Sequence, residues 1–208
     1  MAGANCATPL SSNLIDMSKH LAATPASTLD PDIIAGIAGD VPGLVGDLRS
    51  DHAGETGAVA IYLGILAVSR DPKVRQFAQE HLASEREHLA RMGELLPPGQ
   101  RSVLLPLWRV AGWLTGFLPA LVGPHAVYAT IDAVETFVDH HYEEQVRKLP
   151  AHGPGAALKA LLLACQADEV NHRDEARAAR TGAGKLIRAW QWLVGTGSAL
   201  AVKAARRV

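Results

Sequence analysis

Glu-x-x-His occurs twice in this chain, at Glu85 and His88 in SEREH and at Glu169 and His172 in DEVNH. Residues three apart share one face of an α-helix, so each triplet can aim a carboxylate and an imidazole at one point. A single triplet of this kind arises readily by chance in Glu-rich helical sequence. Here each has a forerunner: Glu55 in DHAGETGA lies 30 residues before Glu85, and Glu135 in DAVETFVDHHY lies 34 residues before Glu169. Both forerunners have small or apolar neighbours, Gly54 and Gly57 for Glu55 and Ile131, Val134 and Val138 for Glu135, where a solvated acid is poorly placed. The result is an approximate internal repeat, a Glu segment followed by a Glu-x-x-His segment, twice over.

Ala-, Leu- and Glu-rich segments carry this repeat, cut by short Pro/Gly breaks at Asp71-Pro72, LPPGQ, Val122-Gly123-Pro124, LPAHGPG and TGAG, with no strand-like alternation. The breaks predict about six helices, over 47–70, 72–96, 105–121, 124–149, 154–180 and 185–206. Residues 1–46, rich in Ser, Thr, Ala and Pro, read as a poorly structured leader with room for one short helix, and 47–208 as the folded domain. Four helices supplying Glu, Glu-x-x-His, Glu and Glu-x-x-His match the ferritin-like di-iron bundle, so the expected fold is all-α, with that bundle and additional hydrophobic helices.

Electrostatics makes the six residues hard to read as packing alone. Four carboxylates gathered in a bundle core repel one another and lose their hydration. Two divalent cations would cancel the four charges. Carboxylate and imidazole donors without thiolate pairs suit iron or manganese rather than structural zinc, and iron activates O2. Asp168 is placed to accept a hydrogen bond from the free ring nitrogen of a facing ligand, His88. Tyr142, seven residues after Glu135, returns to nearly the same face, with His141 beside it; relay and packing roles both stay open. His20, His52, His81, His125, His140 and His152 have no partner in spacing and are assigned surface or capping roles, and Cys165 is read as core filling.

Lys and Arg number 20 against 21 Asp and Glu, a balance that argues against a general nucleic-acid binder. Two cysteines build no disulfide framework, and the amino-terminal stretch is neither a signal peptide nor an Arg-rich transit sequence. Residues 110–131 contain no charge, yet Pro119, Gly123 and Pro124 interrupt them. The final helix pairs Trp190 and Trp192 with flanking Lys185, Arg188, Lys203, Arg206 and Arg207. Interfacial helices at about 105–121 and 185–206 fit this pattern, resting on an anionic leaflet; packing on each other or on a second subunit is the alternative.

DHAGETGA, PLWRVAGW, AVETFVDHHYEEQV and DEVNHRDEA, in this order, resemble the demethoxyubiquinone hydroxylase family of ubiquinone biosynthesis, over residues 51–176. The resemblance implies a peripheral membrane di-iron monooxygenase. Glu55, Glu85 and His88 would hold one Fe2+ and Glu135, Glu169 and His172 the other, with Glu85 and Glu169 able to bridge. His141 and Tyr142 match family positions near the site and are the catalytic candidates. The implied reaction inserts one oxygen atom of O2 into the ring of a polyprenyl 6-methoxy-3-methyl-1,4-benzoquinol, with NADH or the quinol itself as reductant. Implied partners are membrane lipids, the polyprenyl quinol and O2, with accessory biosynthetic proteins or a homo-oligomer, and no nucleic acid. Without an evident mitochondrial leader, the expected place is the cytoplasmic side of a bacterial inner membrane.

The ligand set alone is shared across chemistries. A related di-iron oxidase or hydroxylase acting elsewhere, and a non-catalytic iron- or quinone-binding bundle, are the rival readings. The DHAGE and HHY blocks speak against the first, and the apolar third and sixth helices against a storage cage.

Overall fold

The computed structural model describes residues 29–182 and 184–208, so that most of the leader, with His20 and Cys6, lies outside the described residues. The helices are α1 (Pro31–Asp40), α2 (Leu44–Val68), α3 (Pro72–Leu95), α4 (Leu105–Val122), α5 (Pro124–Lys148), α6 (Pro154–Ala179) and α7 (Lys185–Ala205), with a short 3-10 turn at Pro98–Gln100. Proline opens α1, α3, α5 and α6, where its missing N–H costs nothing. Asp71 caps α3 by accepting from the backbone N–H of Lys73 and Val74.

Helix α1 corrects the leader boundary. Asp30 caps it, accepting from the Ile33 N–H at 2.8 Å, and Pro31 starts it. Ile34, Ile37 and Val41 bury their side chains in the core. The Ser/Thr/Pro composition averaged over 1–46 hid these three apolar anchors. The other six helices fall within three residues of the predicted spans.

Helices α2 and α3 are joined by a three-residue link and pack on each other, as do α5 and α6. These two hairpins form the four-helix bundle. Its core divides into two apolar clusters. One joins Leu48, Met92, Tyr142, Leu158 and Cys165, and the other Ile61, Ile65, Phe77, Leu82, Ile131 and Val134. Along α2, α3, α5 and α6 alike, the Glu of the repeat falls between residues of the first cluster and residues of the second. Each carboxylate is thus carried into the interior by the apolar turns on either side of it.

Helix α4 lies along α2 on a seam of small residues. A Cβ added at Gly112 would run into the Gly57 carbonyl, and one at Gly116 into the Ile61 carbonyl, so only glycine lets the two backbones meet. Because its glycine edge faces α2, α4 turns Leu107, Val110, Leu114, Leu118 and Leu121 to the exterior, all of them exposed. Among the described residues, α4 is the one helix long and apolar enough by length and composition to cross a membrane. Pro119 lies within it without breaking it, and the chain turns into α5 at Gly123, whose φ of 131° would strain any other residue. Helix α7 covers α5.

Candidate metal centre

Glu55, Glu85, Glu135 and Glu169 are each no more than 4% exposed, and His88 and His172 are as deeply buried. The helices bring all six together. Donor atoms of Glu55, Glu85, His88 and Glu169 lie within 4.8 Å of one another, and so do those of Glu85, Glu135, Glu169 and His172. The two groups share Glu85 and Glu169.

The contacts inside the cluster are those of groups aimed at a common point rather than at each other. Nδ1 of His172 stands 3.2 Å from Glu85 Oε1 and 3.2 Å from Glu169 Oε2, yet His172 Nδ1, both Glu85 oxygens and Glu169 Oε2 have no hydrogen-bond partner among the described residues. Nδ1 of His88 is 3.0 Å from Glu169 Oε1 and 3.9 Å from Glu55 Oε2. Orphaned buried polar atoms are expensive. Cations among these oxygen and nitrogen donors would satisfy them, so the residues present fit two metal ions.

Charge reinforces that fit. Burial, then the carboxylates of Glu85 and Glu169, push the Glu55 carboxyl well above its usual range; burial, Glu169 and Glu85 do the same to Glu135. Glu169 goes the other way: burial raises it, but the adjacent imidazoles, His172 at 3.2 Å and His88 hydrogen-bonded at 3.0 Å, outweigh that and hold it at about 2. Burial lowers His172, but the carboxylates of Glu169 and Glu85 outweigh it and lift the imidazole to about 9. His88 is raised further, burial being overcome by Asp168 and Glu169. Without metal the cluster gathers protons as its cations.

Around the cluster, Asp168 meets His88 as the sequence suggested, Oδ2 lying 3.1 Å from Nε2. Asp168 has acceptors only, which puts the ring proton on Nε2 and leaves Nδ1 toward the carboxylates. The Tyr142 hydroxyl donates to Glu55 Oε1 at 2.6 Å. His141 turns from the cluster to α2, its Nε2 lying 2.8 Å from Asp51 Oδ1, and Gln145 donates to the same oxygen at 2.6 Å. Cys165 sits in the apolar core, where burial pushes its thiol up to about 12.

Two histidines assigned to the surface are buried instead. His81 packs its ring 4.0 Å from that of His172 and bonds Glu175 through Nε2 at 3.0 Å. His52 is 5% exposed. Asp51 also escaped the sequence reading. It precedes Glu55 by one turn as His81 precedes Glu85, a same-face spacing that was there to be used.

A cavity of about 390 Å³ opens beside the cluster between α2, α4, α5 and α7. Glu55, Glu85, Glu135 and Glu169 reach one wall, with Asp51, His141 and Tyr142 beside them. Small or apolar residues, including Gly57, Gly112, Val134, Leu193 and Ala201, make up much of the rest.

Residues 44–205 match the family model described as ubiquinone biosynthesis protein COQ7. The chain is 38% identical over 128 residues, 60% of its length and 59% of the relative's, to the mitochondrial NADPH-dependent 3-demethoxyubiquinone 3-hydroxylase of Dictyostelium discoideum. It is 38% identical over 130 residues, 61% of its length and 60% of the relative's, to the 3-demethoxyubiquinol 3-hydroxylase of Rhodospirillum rubrum. With the mitochondrial NADPH-dependent 3-demethoxyubiquinone 3-hydroxylase of Caenorhabditis elegans it shares 30% identity over 165 residues, 77% of this chain and 88% of that one. It thus spans about three fifths of the length of the first two. The match takes in six of the seven helices, all six buried Glu and His residues and the cavity wall, and the chain belongs to the COQ7 family.

Proposed function

We propose that this chain is an O2-dependent di-iron monooxygenase that hydroxylates the ring of a polyprenyl 6-methoxy-3-methyl-1,4-benzoquinol. What carries the reading is one juxtaposition: six buried carboxylate and imidazole side chains meet at the wall of a largely apolar cavity in a chain of this family. Glu55, Glu85 and His88 hold one Fe2+ and Glu135, Glu169 and His172 the other, Glu85 and Glu169 being the residues common to both groups. When bound, the two ions supply the reduction and activation of O2. Asp168 fixes His88 with Nδ1 free to ligate. Tyr142 keeps a proton on its buried hydroxyl, at Glu55, and so has one to give beside the metal position. The apolar walls keep water from the reacting ring. Electrons come from the quinol itself or from a reduced nicotinamide; the Dictyostelium relative is named as NADPH-dependent.

The substrate's tail is insoluble in water, and the protein meets it from the surface of an inner membrane, on the cytoplasmic side. Supporting this are the exposed leucines of α4 and, on α7, Leu186, Trp192, Leu193 and Leu200. Two residues first counted with this face belong elsewhere. Trp190 donates through Nε1 to Thr130 Oγ1 at 2.7 Å, and Arg206 pairs with Asp47 at 2.9 Å.

The test is metal content and quinol hydroxylation of the purified protein beside Glu135→Ala and His172→Ala. Two irons per chain in the parent and loss of product in both variants are expected. Full activity in either variant sinks the ligand assignment.

A further inference from the structure

Apart from the metal-binding candidates, two cavity-lining residues have a buried polar atom with no hydrogen-bond partner among the described residues: Asp51, through Oδ2, and Trp108, through Nε1. One is an acceptor on α2 and the other a donor on α4. Asp51 is 3% exposed, so its free oxygen is not kept there by bulk water.

The rest of the Asp51 side chain is firmly held. Oδ1 takes the Nε2–H of His141 at 2.8 Å and the side-chain N–H of Gln145 at 2.6 Å. On the other side of the imidazole, the Arg206 guanidinium lies 3.4 Å from His141 Nδ1 and 2.9 Å from Asp47. Arg206 has only donors and Asp51 only acceptors, so the tautomer with Nδ1 accepting and the proton on Nε2 suits both; the Gln145 amide nitrogen, 2.9 Å from the same Nε2, then turns its hydrogen to Asp51 Oδ1. Two side chains of α5, one of them braced by Arg206 just beyond α7, therefore hold Asp51 by one oxygen, and the second is left over.

The geometry points to Asp51 as the residue that selects the reduced ring: Oδ2 accepts a hydrogen bond from a hydroxyl of a hydroquinone seated in the cavity. This rests on the quinol reading above and deepens it. A hydroquinone offers O–H donors, whereas the corresponding quinone offers only carbonyl acceptors and would set an oxygen lone pair against a carboxylate. A buried acceptor left unpaired by the wrong ligand discriminates strongly. Trp108 Nε1–H can serve a ring or methoxy oxygen in either oxidation state, so it adds affinity without choosing between them.

The experiment measures binding to the full chain, metal-free and anaerobic in detergent, of tail-less 2-methoxy-5-methyl-hydroquinone, its quinone and its dimethyl ether. The parent protein is expected to bind the hydroquinone at least about tenfold tighter than the other two. Asp51→Asn should abolish that preference, because the amide supplies a donor for the quinone, while the metal content of the variant as purified, before the metal is removed for this assay, stays at the parent's value. Trp108→Phe should weaken hydroquinone and quinone alike. Equal binding of hydroquinone and quinone by the parent, or an intact preference in Asp51→Asn, overturns the role of Asp51 alone. Binding of no probe overturns it together with the quinol reading. If Asp51→Asn does not fold, the comparison of three ligands on the parent decides the matter.

Discussion

Asp168 Oδ2 stands 3.1 Å from Nε2 of His88, while Nδ1 of the same ring stands 3.0 Å from Glu169 Oε1. One carboxylate thus orients the imidazole that another carboxylate and a metal ion would share. Asp168→Ala frees the ring to rotate and to change tautomer. Metal affinity should fall by about 10- to 100-fold with the fold intact, since second-layer partners of ligating histidines have effects of that size. Titration of the metal-free protein with Co2+, followed by its visible absorption, checks this, and an unchanged affinity would show that Asp168 is only a surface acid.

The seam between α2 and α4 tests which of two opposed effects wins. An alanine in a helix interior is better than glycine by up to about 1 kcal/mol. At Gly195 in α7, where a Cβ meets nothing within 4 Å, Gly195→Ala should raise the melting temperature slightly. At Gly116 the same methyl collides with the backbone of Ile61. There Gly116→Ala should lose about 2 kcal/mol net, because overpacking against a backbone cannot be relieved by a rotamer change. Paired thermal or denaturant melts of the two variants give the comparison, and equal shifts would refute the seam.

His52 ties stability to pH. Burial first, then Arg101 and Arg109, hold its imidazole at about 4, below the ordinary 6.5. Between those values the unfolded chain binds a proton that the folded one does not. Stability from this residue is therefore intact above pH 6.5 and is lost as pH falls toward 4, by roughly 2 to 3 kcal/mol in all. Melts of the metal-free protein across this range, beside His52→Gln, should show a shallower acid slope in the variant; identical slopes would exclude His52.

The two tryptophans of α7 should behave differently despite standing two residues apart. Trp192 is 70% exposed, and Trp192→Ser is expected to weaken binding to anionic vesicles, more so with Leu118→Ser added. Trp190, bonded to Thr130 and packed on the Ile61 to Val194 core cluster, should cost stability when changed to Ser and leave vesicle binding of the folded fraction nearly unaltered. Vesicle sedimentation and thermal melts separate the two effects.

Much of this was legible before any coordinates, and the reason is locality. Glu85 with His88, and Glu169 with His172, are fixed by helix geometry within one turn, and their forerunners are exposed by repetition. What was missed depends on partners distant in sequence. Nothing near Trp190 announces that Thr130 will take its N–H, and Arg206 looks like a lipid-facing cation until Asp47 is found beside it. Gly112 and Gly116 are ordinary helix glycines until α2 is laid against them. Asp51 lies between these cases. Its spacing to Glu55 was visible, but the spare oxygen that makes it interesting exists only after His141 and Gln145 have claimed the other.

The two hairpins divide the donor atoms unequally. One group takes Glu55, Glu85 and His88 from α2 and α3 but Glu169 from α6; the other takes Glu135, Glu169 and His172 from α5 and α6 but Glu85 from α3. Neither half of the molecule completes either group alone. A chain whose halves joined in another register would leave both groups incomplete. Ion capture would then work as an assembly check, a buckle that fastens only when both straps are in place.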